Sequence, residues 1–324
     1  MTFKNWLIFL LVSNFGFVLA QTADTNYPTK PIRIIIPQSS GSATDSLIRL
    51  IAPKLTEQLG QSLILENRLG AGGIIGADTV AKAAPDGYTL LIGATSWITI
   101  APHVYPKLSY DPIKDFSPIS LFAVGQNVLA VPANSPYTSL KDLVSQMKAQ
   151  PNILNMASAG IGSTSHLAGV MLTSLAGVSA VHVPYKGAGP SVMSLLSGES
   201  QWVFTPMQGP IALIRSGKLR ALAVGGSVRS AILPDVPTVK ESDIAGYDMR
   251  NWYGLLAPAG TPKAIIDKLN TAIVRAVQTS DIREQFAGQG SEPTTNSASE
   301  FTQFIREETA RMASVVKTAG VKIE

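Results

Sequence analysis

Between Asn155 and Gly169 the chain reads NMASAGIGSTSHLAG, with small or hydroxylic side chains around Gly160 and Gly162 where a short strand gives way to a helix. Such a turn suits an anion. The glycines let backbone approach a ligand closely, and a helix starting near Ser163 offers unpaired N–H groups and the positive end of its dipole. Ser163, Thr164 and Ser165 add hydroxyl donors, and His166 can donate to a ligand or satisfy the local backbone. The same residues also fit an ordinary strand-to-helix turn with a Ser/Thr N-cap. A second turn of the same kind tips the balance toward a site. Pro37 to Asp45, PQSSGSATD, again links an apolar run to a helical pattern through hydroxyls and a glycine, with Thr44 or Asp45 available as N-cap. Neither turn contains an arginine, so a carboxylate there must be held by backbone N–H groups and hydroxyls. Candidate ligand residues are therefore Ser40, Gly41, Ser42, Ala43, Thr44 and Asp45 in one turn, and Ser158, Ala159, Gly162, Ser163 and Thr164 in the other. Thr95 and Ser96, at the end of a third strand, join them; Trp97 beside them is either an apolar wall or core.

Other chemistries find little support. In Gly70-Ala71-Gly72-Gly73-Ile74-Ile75-Gly76 the third glycine is one residue too far along for a dinucleotide loop, and that fingerprint is weak alone. There is no phosphate-binding G-x-x-x-x-G-K-[ST] and no G-x-S-x-G elbow. His103, His166 and His182 are not at metal-ligand spacing, and no paired carboxylates converge. Ser145 and Lys148 match a serine-lysine spacing by chance on an amphipathic surface helix. No catalytic residue, cofactor or metal is expected. A hydrolase requires that Ser163 meet a base the sequence does not reveal.

Met1 to Lys4 carries one positive charge, Trp6 to Leu19 is almost wholly apolar, and Val18-Leu19-Ala20 offers small residues for a signal peptidase. This predicts a secretory leader over 1–20, cut after Ala20, and a periplasmic protein. Zero cysteines exclude disulfides, thiolate chemistry and a lipobox anchor. The composition, 45% hydrophobic and 15% charged, can bury a large core. The net charge is +4, and removal of Lys4 with the leader leaves +3; the cations are scattered, so nothing favours nucleic acid. A monomer is expected.

The elements that must position the two turns alternate. Ile32–Ile36, Ser62–Glu66 and Tyr88–Gly93 read as strands, with helices over Thr44–Leu59 and Gly73–Ala83 between them. Parallel pairing with right-handed crossovers puts a ligand crevice at the strands' carboxyl ends. Phe116–Pro132 is a long apolar stretch with Gly125 at its centre, suited to crossing from one domain to another. A second alternation follows: helix Ser139–Ala149, strand Leu154–Ser158, helix Ser163–Leu175, strand Ala180–Tyr185, helix Ala188–Leu196, strand Trp202–Thr205, helix Pro210–Ser216 and strand Leu219–Gly225. Arg250–Pro258 returns, and helices near Lys263–Gln278 and Ser299–Ala319 finish the first domain. The expectation is two α/β lobes, 21–124 with 249–324 and 125–248, whose turns face one another across a cleft.

Several motifs, in order along nearly the whole mature chain, resemble the Bug family. They are Pro37–Asp45 with Ile48-Arg49, Glu66-Asn67-Arg68 with Gly70–Gly73 and Gly76-Ala77, Ala83–Leu91, Ala157–Gly169, His182–Gly187, Gly217–Val224, Leu233–Thr238 and Gly254–Pro262. Bug proteins are periplasmic solute receptors of tripartite tricarboxylate transporters. The resemblance implies a two-lobed periplasmic binding protein (flytrap) fold, each lobe a mixed sheet flanked by helices. It implies closure on a small carboxylate and delivery to membrane permease subunits, with contacts at Ser40 to Asp45 and Ser158 to Thr164. Two departures matter. Ser39, Ser40 and Ser42 stand where the family is richer in proline and glycine, so more hydroxyls line the pocket. After Gln201-Trp202-Val203-Phe204 the family commonly has aspartate, and this chain has Thr205, which removes a negative group from the cleft rim unless that side chain turns into the sheet. The implied solute is an amine-free mono- or dicarboxylate, aromatic if Trp97 is a wall. A sensor serving a signalling partner, a receptor for an uncharged solute and a serine hydrolase are the alternatives.

Overall fold

A computed structural model describes residues 26–321. The expected leader and its cleavage site lie outside the described residues, and among those described no helix is long and apolar enough to cross a membrane.

Ten strands form one continuous hydrogen-bonded array in the order β2-β1-β3-β9-β4-β7-β5-β6, with β10 and β8 also pairing β4. At its start, β1 (Ile32–Ile36) runs parallel between β2 (Leu63–Asn67) and β3 (Thr89–Ala94). Its four isoleucines are buried, as a strand covered on both faces requires. Antiparallel to β3 runs β9 (Arg250–Pro258), and beside β9 lies β4 (Phe116–Pro132). The 17 residues of β4 serve two bodies. Phe116 to Gln126 pairs β9, whereas Asn127 to Pro132 pairs β7 (Trp202–Pro206) and β8 (Leu219–Val224). Beyond β7 lie the parallel strands β5 (Asn155–Ser158) and β6 (Val181–Pro184). The sheets are therefore mixed, as expected, and the switch point falls at Gly125 to Asn127.

Helices cover both bodies. On the first pack α1 (Ala43–Leu59), α2 (Ile74–Ala81) and α8 (Lys263–Gln278), with a core of β1, β3 and β9 side chains and Phe286 and Phe301. On the second pack α4 (Leu140–Ala149), α5 (Thr164–Ala176), α6 (Ala188–Ser197) and the short α7 (Ile211–Arg215). The last helix, α10 (Ala298–Ala319), belongs to both: Phe301 and Ile305 enter the first core, Met312, Val315 and Val316 the second.

Most of the sequence-read elements appear within one or two residues of their expected ends, but three features differ. After β3 the chain enters a fully buried π-helical turn, Thr95–Ile100, and then α3 (Ala101–Val104). This turn sinks Trp97 into the core, where its indole N–H donates to Ile92 O at 2.9 Å. Trp97 is thus core and not a ligand wall. The segments α9 (Ser280–Gly288) and β10 (Ser291–Pro293) were not anticipated either. The three residues of β10 are a strand only through pairing with Ala123 to Gly125 of β4, which no local pattern signals.

Candidate functional site

The β1–α1 turn is braced from within. Ser42 caps α1, its Oγ accepting from Asp45 N at 3.4 Å, and Thr44 Oγ1 donates to Gln38 Oε1 at 2.8 Å. Asp45 is buried, and its carboxylate accepts from Gly41 N, Asn67 Nδ2 and Arg49 Nε, each at 2.9 Å, with Ser40 Oγ at 3.4 Å. Burial works against its charge, but the Arg49, Asn67 and Gly41 donors outweigh that and hold the acid below its ordinary pKa. Asp45 and Arg49 also form an ion pair at 2.8 Å, so this acid faces its own turn with its charge compensated. Ala43 is buried beside it.

The β5–α5 turn is denser in hydroxyls. Ser163 caps α5, accepting from His166 N at 3.2 Å and donating to Gly160 O at 2.6 Å. Ala159 N donates to Ser165 Oγ at 2.8 Å, and Gly162 N to His166 Nδ1 at 3.2 Å. Ser158 Oγ lies 2.6 Å from His182 Nε2, and the His182 ring stacks on His166 with centroids 3.9 Å apart. His166 thus serves the local backbone. Burial first, and then the neighbouring His182, pushes the His166 pKa from 6.5 down to about 3; burial brings His182 down to about 4. Both rings are neutral at pH 7. Ser163 has Gly160 O, Ser165 Oγ and His166 N around its hydroxyl, and none of these is a general base.

The two turns come together. A cleft of about 620 Å3 is walled on one side by Pro37–Ser39 and Leu69–Gly73, on the other by Ala159–Ile161, Ser163 and Pro184–Gly187, with Tyr105 at its edge. That volume suits a small molecule. Gly73 must be glycine, because a Cβ there would meet Trp97 at 2.5 Å. At Gly187 a Cβ would meet Ser39 Oγ, from the facing wall, at 2.8 Å. Tyr105 OH lies 3.3 Å from both Ala71 O and Ile161 O, which bridges the two lips. Deeper, Thr164 N donates to Ser96 Oγ at 3.1 Å, so one of the helix's free N–H groups is taken by the facing lobe.

Of the residues predicted from sequence, Ala159 and Ser163 line this cleft directly. Gly41, Ser42, Thr44 and Asp45 form the bracing behind Gln38 and Ser39, and Ser40 lies exposed beside them. Ser158, Gly162 and Thr164 are buried behind the facing wall, Ser96 is buried on the first side with its Oγ accepting from Thr164 N, and Thr95 Oγ1 accepts from Trp252 N at 3.1 Å. Thr205 pairs Val128 across the sheet and shares the face of Val203; it is wholly buried and its hydroxyl has no partner. The candidate list lacked Gln38, the Leu69–Gly73 turn, Tyr105 and Tyr185 to Gly187. The signal was present for two of these stretches, since each is another glycine-bearing turn between a strand and a helix. The loop once weighed against a dinucleotide fingerprint is a wall of the cleft.

Among the described residues no group of three or more His, Asp or Glu side chains could hold a metal ion. A smaller cavity of about 350 Å3 lies at the β4 crossing with Arg229 and Arg250 on its wall. Both guanidiniums are already paired, to Glu241 and Asp248 at 3.1 Å.

Two α/β bodies joined by crossing strands, with glycine turns from each meeting over a cleft at the strand ends, define a periplasmic binding protein. Solved structures agree: one described as a periplasmic transporter shares 38% identity at a TM-score of 0.89, covering 92% of this chain and 100% of that one. The R. palustris protein Rpa4515, solved with adipate, shares 34% at 0.89, over 92% and 100% of the two chains. MatC from Rhodopseudomonas palustris, with bound malate, shares 34% at 0.85, over 90% and 100%. Residues 47–321 match the model of the tripartite tricarboxylate transporter family receptor. BugT of Bordetella pertussis is 36% identical over 319 residues, 98% of each chain. The chain belongs to this receptor family, and its fold and Bug resemblance stand as expected.

Proposed function

We propose that the protein is a periplasmic receptor for a small amine-free carboxylate, which it hands to the membrane subunits of a tripartite transporter. The observation that carries the reading is the charge of the cleft. Among the described residues its lining holds no Asp or Glu, and Lys186 is the one charged residue there. A carboxylate is matched by that field and by the turn at the head of α5. An ammonium group would enter without a negative partner and bear the cost of an uncompensated charge on closure. Adipate and malate in two relatives, both amine-free, support the same class. The lobes are taken as 21–124 with 249–324 and 125–248, the protein as a monomer exported by cleavage after Ala20. Turnover is not part of the reading, since Ser163 lacks a base among its partners.

Isothermal titration of amino acids beside their deaminated analogues tests it. Succinate and glutarate should bind at least about tenfold tighter than aspartate and glutamate, a difference of ~1.4 kcal/mol. The reverse order would overturn the proposal.

A further inference from the structure

The cavity of about 350 Å3 at the β4 crossing shares no lining residue with the cleft among the described residues. Each body supplies part of it. Ala287 and Gly290–Pro293, from α9 and β10, come from the first; Ser227–Ile232, the loop after β8, comes from the second; Val124–Gln126 and Arg250 join them from the two passages. The two bodies touch beside it. Gln208 Nε2 of the second donates to Ser291 Oγ of the first, and a Cβ built at Gly290 would meet Ile232 Cδ1 at 3.2 Å.

The polar groups left over around this cavity are acceptors. Gln126 Oε1, on the lining, is buried without a partner. Its amide cannot be turned over to mend this, since Nε2 donates to Val228 O at 3.2 Å and a flip would set two oxygens together. Gln208 Oε1 and Gln289 Oε1 are also buried and unpartnered, the one on the amide that holds Ser291, the other next in the chain to Gly290. Buried carbonyl oxygens normally find a donor. The cations on the wall are already matched, Arg229 by Glu241 and Arg250 by Asp248. Glu292 has no ion pair among the described residues, so one negative charge remains, beside an apolar lining of Val124, Val228, Ala231 and Ile232.

We propose that this cavity is a second ligand site, for a small aliphatic amine, and that its occupation holds the two bodies in the arrangement seen here. The ammonium donates to Gln126 Oε1 and faces Glu292, and the alkyl chain lies against the apolar lining. An alcohol of the same shape brings one donor and no charge, and an anion meets orphaned acceptors and a carboxylate. A ligand that touches both bodies favours the arrangement that brings its contacts together, and shifts the equilibrium that way. In this arrangement Tyr105 OH spans the lips of the cleft, so the amine favours closure from the hinge side. The site does not depend on what the cleft binds.

The test is calorimetry on the full mature chain in amine-free, carboxylate-free buffer, with butylamine beside butan-1-ol. Butylamine should bind at least about tenfold tighter than the alcohol. Ala231→Trp, at an exposed position where the larger side chain fills the cavity, should abolish amine binding with an unchanged melting curve. Glu292→Gln should weaken the amine about threefold and leave the alcohol unchanged, because an exposed carboxylate contributes modestly. Scattering should give a smaller radius of gyration at saturating butylamine. Equal binding of amine and alcohol, amine binding that survives Ala231→Trp, or full amine affinity in Glu292→Gln overturns the site. An unchanged scattering profile at saturation overturns its hold on the hinge. Neither failure bears on the carboxylate reading, which the titrations of amino acids against their deaminated analogues decide.

Discussion

On the proposed reading Ser163 has two duties at one atom. Its Oγ accepts from His166 N and so caps α5, and it lies on the cleft wall where a ligand oxygen would arrive. Replacing it by alanine removes the cap, which costs about 1 kcal/mol of stability. On the proposed reading the hydroxyl turns from Gly160 O to the bound carboxylate, so the same replacement deprives the ligand of one donor and weakens binding by about 1 to 3 kcal/mol. Thermal melting and calorimetry on Ser163→Ala separate the two effects. Ser163→Gly restores much of the cap without restoring the hydroxyl, so its melting point should recover while its affinity does not. Recovery of both would mean that Ser163 acts on the ligand only by ordering the helix. Asp45 shows the opposite division of labour. Sequence proximity placed it among the ligand residues, yet its carboxylate holds Gly41 N, Asn67 and Arg49, which shapes the wall that Gln38 and Ser39 present. Spacing places an acid in a turn; only the fold reveals which way its oxygens point.

At the scale of elements, α5 and β6 meet through two imidazoles. His166, in the first turn of α5, and His182, in the middle of β6, stack at 3.9 Å with their planes 14° apart. Gly162 N and Ser158 Oγ occupy one nitrogen of each ring. Burial depresses both, to about 3 for His166 and about 4 for His182, from an ordinary 6.5. The unfolded chain therefore binds protons from about pH 6.5 downward while the folded chain does not, and the stability these rings contribute is complete above that pH and lost as pH falls toward about 3. Melting temperatures of wild type should drop between about pH 7.5 and pH 5, and the His166→Gln/His182→Gln double variant should drop less over the same interval. Parallel curves would count against a neutral stacked pair.

The strand-and-helix alternation made the framework legible, because β-branched runs such as Ile32–Ile36 and the amphipathic pattern of Leu47, Ile48, Ile51 and Leu55 report burial directly. The two hydroxyl-rich turns were legible for the same reason, since Ser42 and Ser163 cap helices that the pattern already announced. What escaped was tertiary: the π-helical turn around Trp97, the strand β10, and the wall residues Tyr105 and Lys186, which reach the cleft from turns distant in sequence.

For the whole molecule the decisive feature is where the chain passes between the two bodies. The chain passes between them near Gly125 to Asn127 and again near Asp248 to Asn251. Asn251 Nδ2 donates to Asn127 Oδ1 at 2.7 Å, and Asn127 Nδ2 to Met249 O at 3.2 Å, so the passages are clasped side by side. Arg311 of α10, the helix that enters both cores, donates to Asp248 O at 3.0 Å and marks the same line. Rotation about that line would shift α10, and Ile100 and Val104 at the ends of α3, against the second core in which they are buried, while the first core stays whole. At the far side the polar contacts between the lips are weak, Tyr105 OH at 3.3 Å from Ala71 O and Ile161 O, with Thr164 N to Ser96 Oγ at 3.1 Å deeper in. Those few bonds, each worth about 1 kcal/mol net, are too weak to hold the cleft shut unaided, and a ligand bridging both walls would tip the balance toward closure. Small-angle scattering should therefore report a smaller radius of gyration once a carboxylate, verified by calorimetry, saturates the protein. Tyr105→Phe removes a lip bond, so it should leave the liganded value unchanged and quicken ligand release in stopped-flow measurements. Superimposable scattering with and without ligand would make this a rigid binding module, and an unchanged release rate would take the latch away from Tyr105.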